Sequence, residues 1–147
     1  MKKQGSTSEF TEQRNRELHA SFLHVLRTER DLPLRQMFGM AALRRCTRFW
    51  VSESRAADVI GRMMRGHSLE GMNEKRREMF EEIYRRVIRR MSERPGLCMT
   101  HAVGEVILEE APEFYLSGEA ARSIIYRMRQ KARAMNRLRR AVSSQKQ

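Results

Sequence analysis

No acidic residue follows Glu119, although residues 120–147 carry nine basic ones. Over residues 1–119 the signs nearly balance, 21 basic against 18 acidic, so three quarters of the net +12 lies in the last fifth of the chain. Such segregation marks an electrostatic contact surface near the C-terminus. Other absences exclude whole classes of function. No stretch approaches the ~18 apolar residues of a membrane span. The opening Met-Lys-Lys-Gln-Gly-Ser-Thr-Ser lacks the apolar run of a secretion signal, so the expectation is a soluble, cytoplasmic protein. Two cysteines, Cys46 and Cys98, are too few for a disulfide framework and read as reduced structural thiols. No segment sustains a two-residue alternation, so no sheet is expected.

Catalytic signatures are missing too. There is no Gly-rich phosphate loop, no HExxH and no Ser/His/Asp set. His19 and His24 are five apart and fall on different helix faces, while His67 and His101 have no ligand-spaced neighbours. Glu109 and Glu110 are adjacent, hence splayed, and are expected to be solvated. The expectation is a non-enzymatic protein with no metal and no cofactor.

Arginine dominates what is present, supplying 25 of the 30 basic side chains. Its planar fork of donors matches phosphate or carboxylate and keeps its charge at any working pH. The partner should therefore be acidic. The chain also repeats itself. Shifted by sixty-five positions without a gap, residues 32–63 match residues 97–128 at Leu32/Leu97, Gly39/Gly104, Leu43/Leu108, Phe49/Phe114, Ser52/Ser117, Ala56/Ala121, Ile60/Ile125, Arg62/Arg127 and Met63/Met128. Trp50 pairs with Tyr115. This pattern reads as a tandem duplication, which presents one surface twice and suits a long repetitive partner better than a single catalytic pocket.

Leu18, Phe22, Val25 and Leu26 recur at helical spacing and predict a first helix from residue 12 to about 29. Pro33 opens a second, to about 45, turning Leu34, Met37, Phe38 and Ala42 inward. After an extended joint at residues 47–51, Ser52 caps a third, 53 to about 65, with Val51 stapled onto Ala56. Asn73 caps a fourth, 74 to about 92, whose apolar face holds Met79, Phe80, Ile83, Tyr84, Val87, Ile88 and Met91. Glu81/Arg85 and Glu82/Arg86 pair along its surface. A fifth spans about 100 to 110. Ser117 caps the sixth, which neither glycine nor proline interrupts before about 142. Ala121, Ile124, Ile125, Met128, Ala132, Met135, Leu138 and Val142 should face inward, and Arg122, Arg129, Arg133, Arg137 and Arg140 should line another side with Tyr126. The expected fold is all-α, six helices as two tandem three-helix repeats, with an extended basic C-terminal helix. The expected divisions are a disordered start (1–10), repeat one (11–66), a linker (67–73), repeat two (74–142) and a disordered tail (143–147).

An arginine-edged helix of this length can lie in a major groove or follow a phosphate backbone. The repeat-related Arg62 and Arg127 read either as a shared contact, supplemented by Arg55, Arg65, Arg122 and Arg129, or as a shared intramolecular ion pair. Phe49/Phe114 and Trp50/Tyr115 read as base-stacking groups or as anchors of a small core. Three helices per unit, with a Ser-capped third helix after an aromatic joint, resemble in layout the tandem helix-turn-helix modules of the Myb type. Such modules carry several tryptophans where this chain has Trp50 alone. The resemblance implies that the third helix of each unit reads a major groove. The doubled Phe-Trp/Tyr-Val/Leu-Ser…Ala…Ile-x-Arg-Met pattern also looks like small bacterial tandem-repeat proteins of no established function, a likeness that carries no functional residue.

The expected function is nucleic-acid binding, DNA more than RNA, through phosphate contacts from Arg122, Arg127, Arg129, Arg133, Arg137 and Arg140, with Arg55, Arg62 and Arg65, in a regulatory or mobile-element accessory role. The alternative is a helical adaptor that docks on an acidic protein. The last helix is basic and amphipathic, but its apolar side is too weak to make a membrane the partner.

Overall fold

The computed structural model of the chain describes the backbone over residues 7–145 and side chains from Phe10 onward. Among the described residues there are six helices: α1 (Thr7–Thr28), α2 (Leu34–Ala42), α3 (Glu53–Met64), α4 (Glu74–Glu93), α5 (Met99–Val106) and α6 (Gly118–Gln145). They contain no strand, only an isolated antiparallel bridge between Cys46 and Ala111. Four expected boundaries move: α2 ends at Ala42 and α5 at Val106, short of about 45 and about 110. Helix α1 already includes Thr7–Phe10, where the Phe10 ring packs under the Arg48 guanidinium, and α6 includes residues 143–145. The remainder of the expected disordered ends, residues 1–6 and 146–147, lies outside the described residues.

Local chemistry sets the helix starts. The Ser52 hydroxyl accepts from the Arg55 N–H at 3.1 Å, the Asn73 side chain from Arg76 N–H at 2.9 Å, and the Ser117 hydroxyl from Ala120 N–H at 3.1 Å. Each bond satisfies an orphan donor of a first turn. The end of α3 is equally specific. Gly66, at φ 85°, takes the left-handed geometry that closes a helix, with His67 N–H bonded to Arg62 O and Gly66 N–H to Met63 O, both at 3.0 Å.

The helices group in space differently from the expected units 11–66 and 74–142. Helices α1 and α2 pack with α6, whereas α4 and α5 pack with α3. Each half thus contributes its third helix to the other half's pair. The joints before the third helices carry this exchange. Cys46 and Ala111 bond to each other through both backbone groups, at 3.0 and 2.9 Å, while Phe49 N–H donates to Ile107 O and Phe114 N–H to Ala42 O, each at 2.9 Å. One buried cluster runs through both halves. Its members include Leu18 and Ile83, Phe22 and Val87, Phe38 and Val103, Ala41 and Val106, Phe49 and Phe114, and Ile60 and Ile125, every pair sixty-five residues apart.

Some surface expectations change. Leu34, the first residue of α2, and Ile88 are exposed. Arg85 turns to Glu82 at 2.5 Å instead of Glu81, and Glu82 also holds Arg86 at 2.8 Å. Glu109 and Glu110 are not merely solvated: Glu109 binds Arg86 at 3.1 Å and also Arg90, and Glu110 faces Arg45 at 3.6 Å. Arg90 and Arg94 both reach Glu105 at 2.6 Å, so ion pairs tie α4 to α5.

Candidate nucleic-acid interface

The sequence position that ends α3 does not end α6. Where α3 meets Gly66, the place sixty-five residues on holds Lys131, and the helix continues to Gln145. Only its first turns are covered: Ala121, Ile124 and Ile125 are buried against α1 and α2, and Met128 is half-buried. Every residue from 130 to 145 is exposed, an arm roughly 24 Å long. The inward placement of Ala132, Met135, Leu138 and Val142 is therefore corrected. Their stripe is continuous with the core-facing side, yet it stays open, with Met135 50%, Leu138 62% and Val142 54% exposed.

The arginine ridge is open. Among the described residues, Arg122, Arg127, Arg129, Arg133, Arg137 and Arg140 have no carboxylate partner. The Arg122 guanidinium rests 5.3 Å from the Tyr126 ring, Arg129 lies 5.1 Å from the Phe22 ring, and Arg127 Nε donates to Ser123 O at 3.4 Å. Arg133, Arg137 and Arg140 line a shallow depression with Gln130 and Asn136.

On α3 the arginines differ. Arg62 pairs with Asp58 at 3.1 Å, and Arg55 reaches the same carboxylate at 3.8 Å, while Arg65 has no carboxylate partner among the described residues. The ion pair of Arg62 lies within α3 and is not shared, because Ser123 stands sixty-five residues on from Asp58, beside Arg127. Two arginines not picked out from the sequence connect these groups. Arg76 of α4 shares one depression with Arg55 and Arg62, and a second cavity with Arg55 and Arg14 of α1. Arg14 is half-buried; burial, then the fields of Arg127 and Arg76, weaken its hold on its proton. A basic band therefore leads from Arg62 through Arg55, Arg76 and Arg14 to Arg127 and the arm. No sequence pattern marks it, since Arg14 and Arg76 meet only through tertiary packing.

The joint aromatics act as anchors. Phe49 and Phe114 are buried, and Trp50 and Tyr115 half-buried. Cys46 is a structural thiol: burial, then Glu17, push it up to about 12, and its S–H donates to Arg48 O and Glu113 O. Among the described residues, no group of three possible metal-ligating side chains gathers, and no helix is long and apolar enough to cross a membrane. No protein-family model, no curated protein and no solved structure matches this chain.

Proposed function

We propose that this chain is a duplicated pair of three-helix units, cytoplasmic and non-enzymatic, that binds nucleic acid, DNA in preference to RNA, through phosphate contacts from α6, in a regulatory or mobile-element accessory role. The single observation that carries this reading is the projecting arm. Residues 130–145 are all exposed and contain no acid, and among the described residues Arg133, Arg137 and Arg140 have no carboxylate partner. An isolated helix of this length is marginal in water, and like charges along one side weaken it further. A polyanion would both neutralise the ridge and order the arm. Arg129, Arg122 and Arg127 extend the contact onto the body, and Arg55, Arg62 and Arg65 would add to it from α3. Duplication is supported by the helix starts at Leu34 and Met99 and at Glu53 and Gly118, each sixty-five residues apart.

Retardation or anisotropy measurements on duplex DNA across salt concentrations test the reading. About five phosphate contacts give a slope of log affinity against log salt near −4 to −5. Absent binding at low salt, or binding indifferent to salt, would overturn it. A second reading, a helical adaptor for an acidic protein, draws on the exposed Met135, Leu138 and Val142 stripe. Nuclease treatment separates the two: partners held through nucleic acid are released by complete digestion, whereas a docked protein stays.

A further inference from the structure

A cavity of about 410 Å³ opens between α1, α3, α4 and the joint before α6, within the ~300–1,000 Å³ range of small-ligand sites. Three guanidinium groups from three helices line it, Arg14, Arg55 and Arg76, and no carboxylate does. The remaining lining residues are largely apolar and include the aromatic Phe10 and Trp50. Arg48, held by bonds to Phe49 O at 3.0 Å and Val51 O at 2.9 Å, lies over both the Phe10 and Trp50 rings and fixes that side. Among the described residues Tyr115 is the non-glycine residue with positive φ, 56°, a conformation that costs on the order of 1–2 kcal/mol, and its ring is stacked on Phe49 with centroids 6.1 Å apart, behind the cavity.

Charge selects the ligand class. Arg14 is half-buried, and among the described residues its side-chain bonds are to Asn15 Oδ1, at 3.2 and 3.1 Å. A desolvated cation beside two further cations is unfavourable unless an anion completes the site. The Arg55 pair with Asp58 is long, and Arg76 has no carboxylate partner among the described residues. Three cations match a doubly charged phosphate monoester better than a single carboxylate. The capped N-terminus of α3, at Ser52 on the cavity rim, adds its positive dipole end. Aromatic walls beside such a pole suit a flat ring.

We infer that this cavity binds a free phosphate monoester carrying a planar ring, the chemistry of a mononucleotide, at a site separate from the α6 arm. Phosphate lies among Arg14, Arg55 and Arg76, and the ring lies along Phe10 and Trp50.

Calorimetric titration of the full chain tests this, with adenosine monophosphate and uridine monophosphate as probes and adenosine and inorganic phosphate as controls. At least one nucleotide should bind about tenfold tighter than either control, and Arg76→Gln or Arg14→Gln should weaken it by about tenfold or more. Arg76 is exposed, so Arg76→Gln keeps the fold, which its thermal melt verifies. The triple variant Arg133→Gln, Arg137→Gln, Arg140→Gln should retain nucleotide binding while its DNA affinity falls, so the cavity and the arm contact fail independently. No heat with either nucleotide, inorganic phosphate binding as tightly as both, or affinity that follows the arm variant and ignores Arg76→Gln would each overturn the assignment.

Discussion

Cys46 and Ala111, sixty-five residues apart, exchange both of their backbone hydrogen bonds at the centre of the molecule, and both side chains are buried. The contact thus joins the two joints that precede α3 and α6. Arg45 and Glu110 obey the same geometry one step away, and their opposite charges suit a contact that identical residues would make repulsive. Adding bulk at this contact should be costly because the surrounding packing is dense. Ala111→Leu should destabilise the chain by about 1–3 kcal/mol, read from urea unfolding. A change under ~0.5 kcal/mol would mean that the joint is loosely packed.

The exchange of third helices makes each half dependent on the other. Fragments 1–66 and 67–147 should each give weak helical circular dichroism alone, because α3 lacks α4 and α5, and α6 lacks α1 and α2. Mixed in equal amounts they should recover the helicity of the intact chain and melt cooperatively. A fragment that melts cooperatively by itself would contradict the exchanged packing.

Acid should loosen the α4–α5 contact. Arg90 and Arg94 hold the Glu105 carboxyl below its ordinary 4.5. Burial pushes the Glu82 carboxyl up, but Arg85 and Arg86 outweigh it and leave that group lowered as well. A carboxyl depressed in the folded state contributes stability above its unfolded value, and that contribution disappears as the pH falls through the folded one. Urea midpoints should therefore drop below pH about 4.5, and Glu105→Gln should flatten part of the drop. An unchanged profile in that variant would show the ion pairs to be energetically silent.

The arm and the fold should be separable. Substituting Arg133, Arg137 and Arg140 by Gln touches exposed groups with no partner, so stability should stay within about 0.5 kcal/mol. DNA affinity should fall, and the salt slope should shrink by about 2 to 3 as three phosphate contacts are lost. Circular dichroism should show helix gained on adding duplex DNA to the parent chain and little gain in the variant. An unaltered slope would place the phosphate contacts elsewhere on the molecule.

Helix starts were legible because capping is local: Ser52, Asn73 and Ser117 each act within three residues. The exchange of α3 and α6 was not, since the same buried positions satisfy a unit closed on itself and a unit closed on its neighbour. Periodicity likewise names the apolar side of a helix without saying whether anything covers it, which is why Ala132, Met135, Leu138 and Val142 were expected inside. The length of α6 was legible because neither glycine nor proline interrupts it, whereas α3 meets Gly66. Arg14 and Arg76 carry no sequence signal, because their neighbourhood with Arg127 is tertiary.

His19 offers a direct probe of whether phosphate reaches the ridge. Burial, then the nearby Arg129 guanidinium, hold the imidazole below its ordinary 6.5. Its neutral form is the one the fold favours, so this group withdraws stability as the pH falls below about 6.5 and withdraws nothing above it. Removing the neighbouring charge should relieve that bias. Arg129→Gln should raise the His19 titration midpoint seen by proton NMR and lessen the loss of stability toward pH 5 that it causes. A phosphate seated on Arg129 would act in the same direction, so duplex DNA should also raise the midpoint in the parent chain and have a smaller effect in Arg129→Gln. A His19 resonance that titrates identically with and without saturating DNA would place the polyanion away from this part of α6, leaving only the distal arm as its contact.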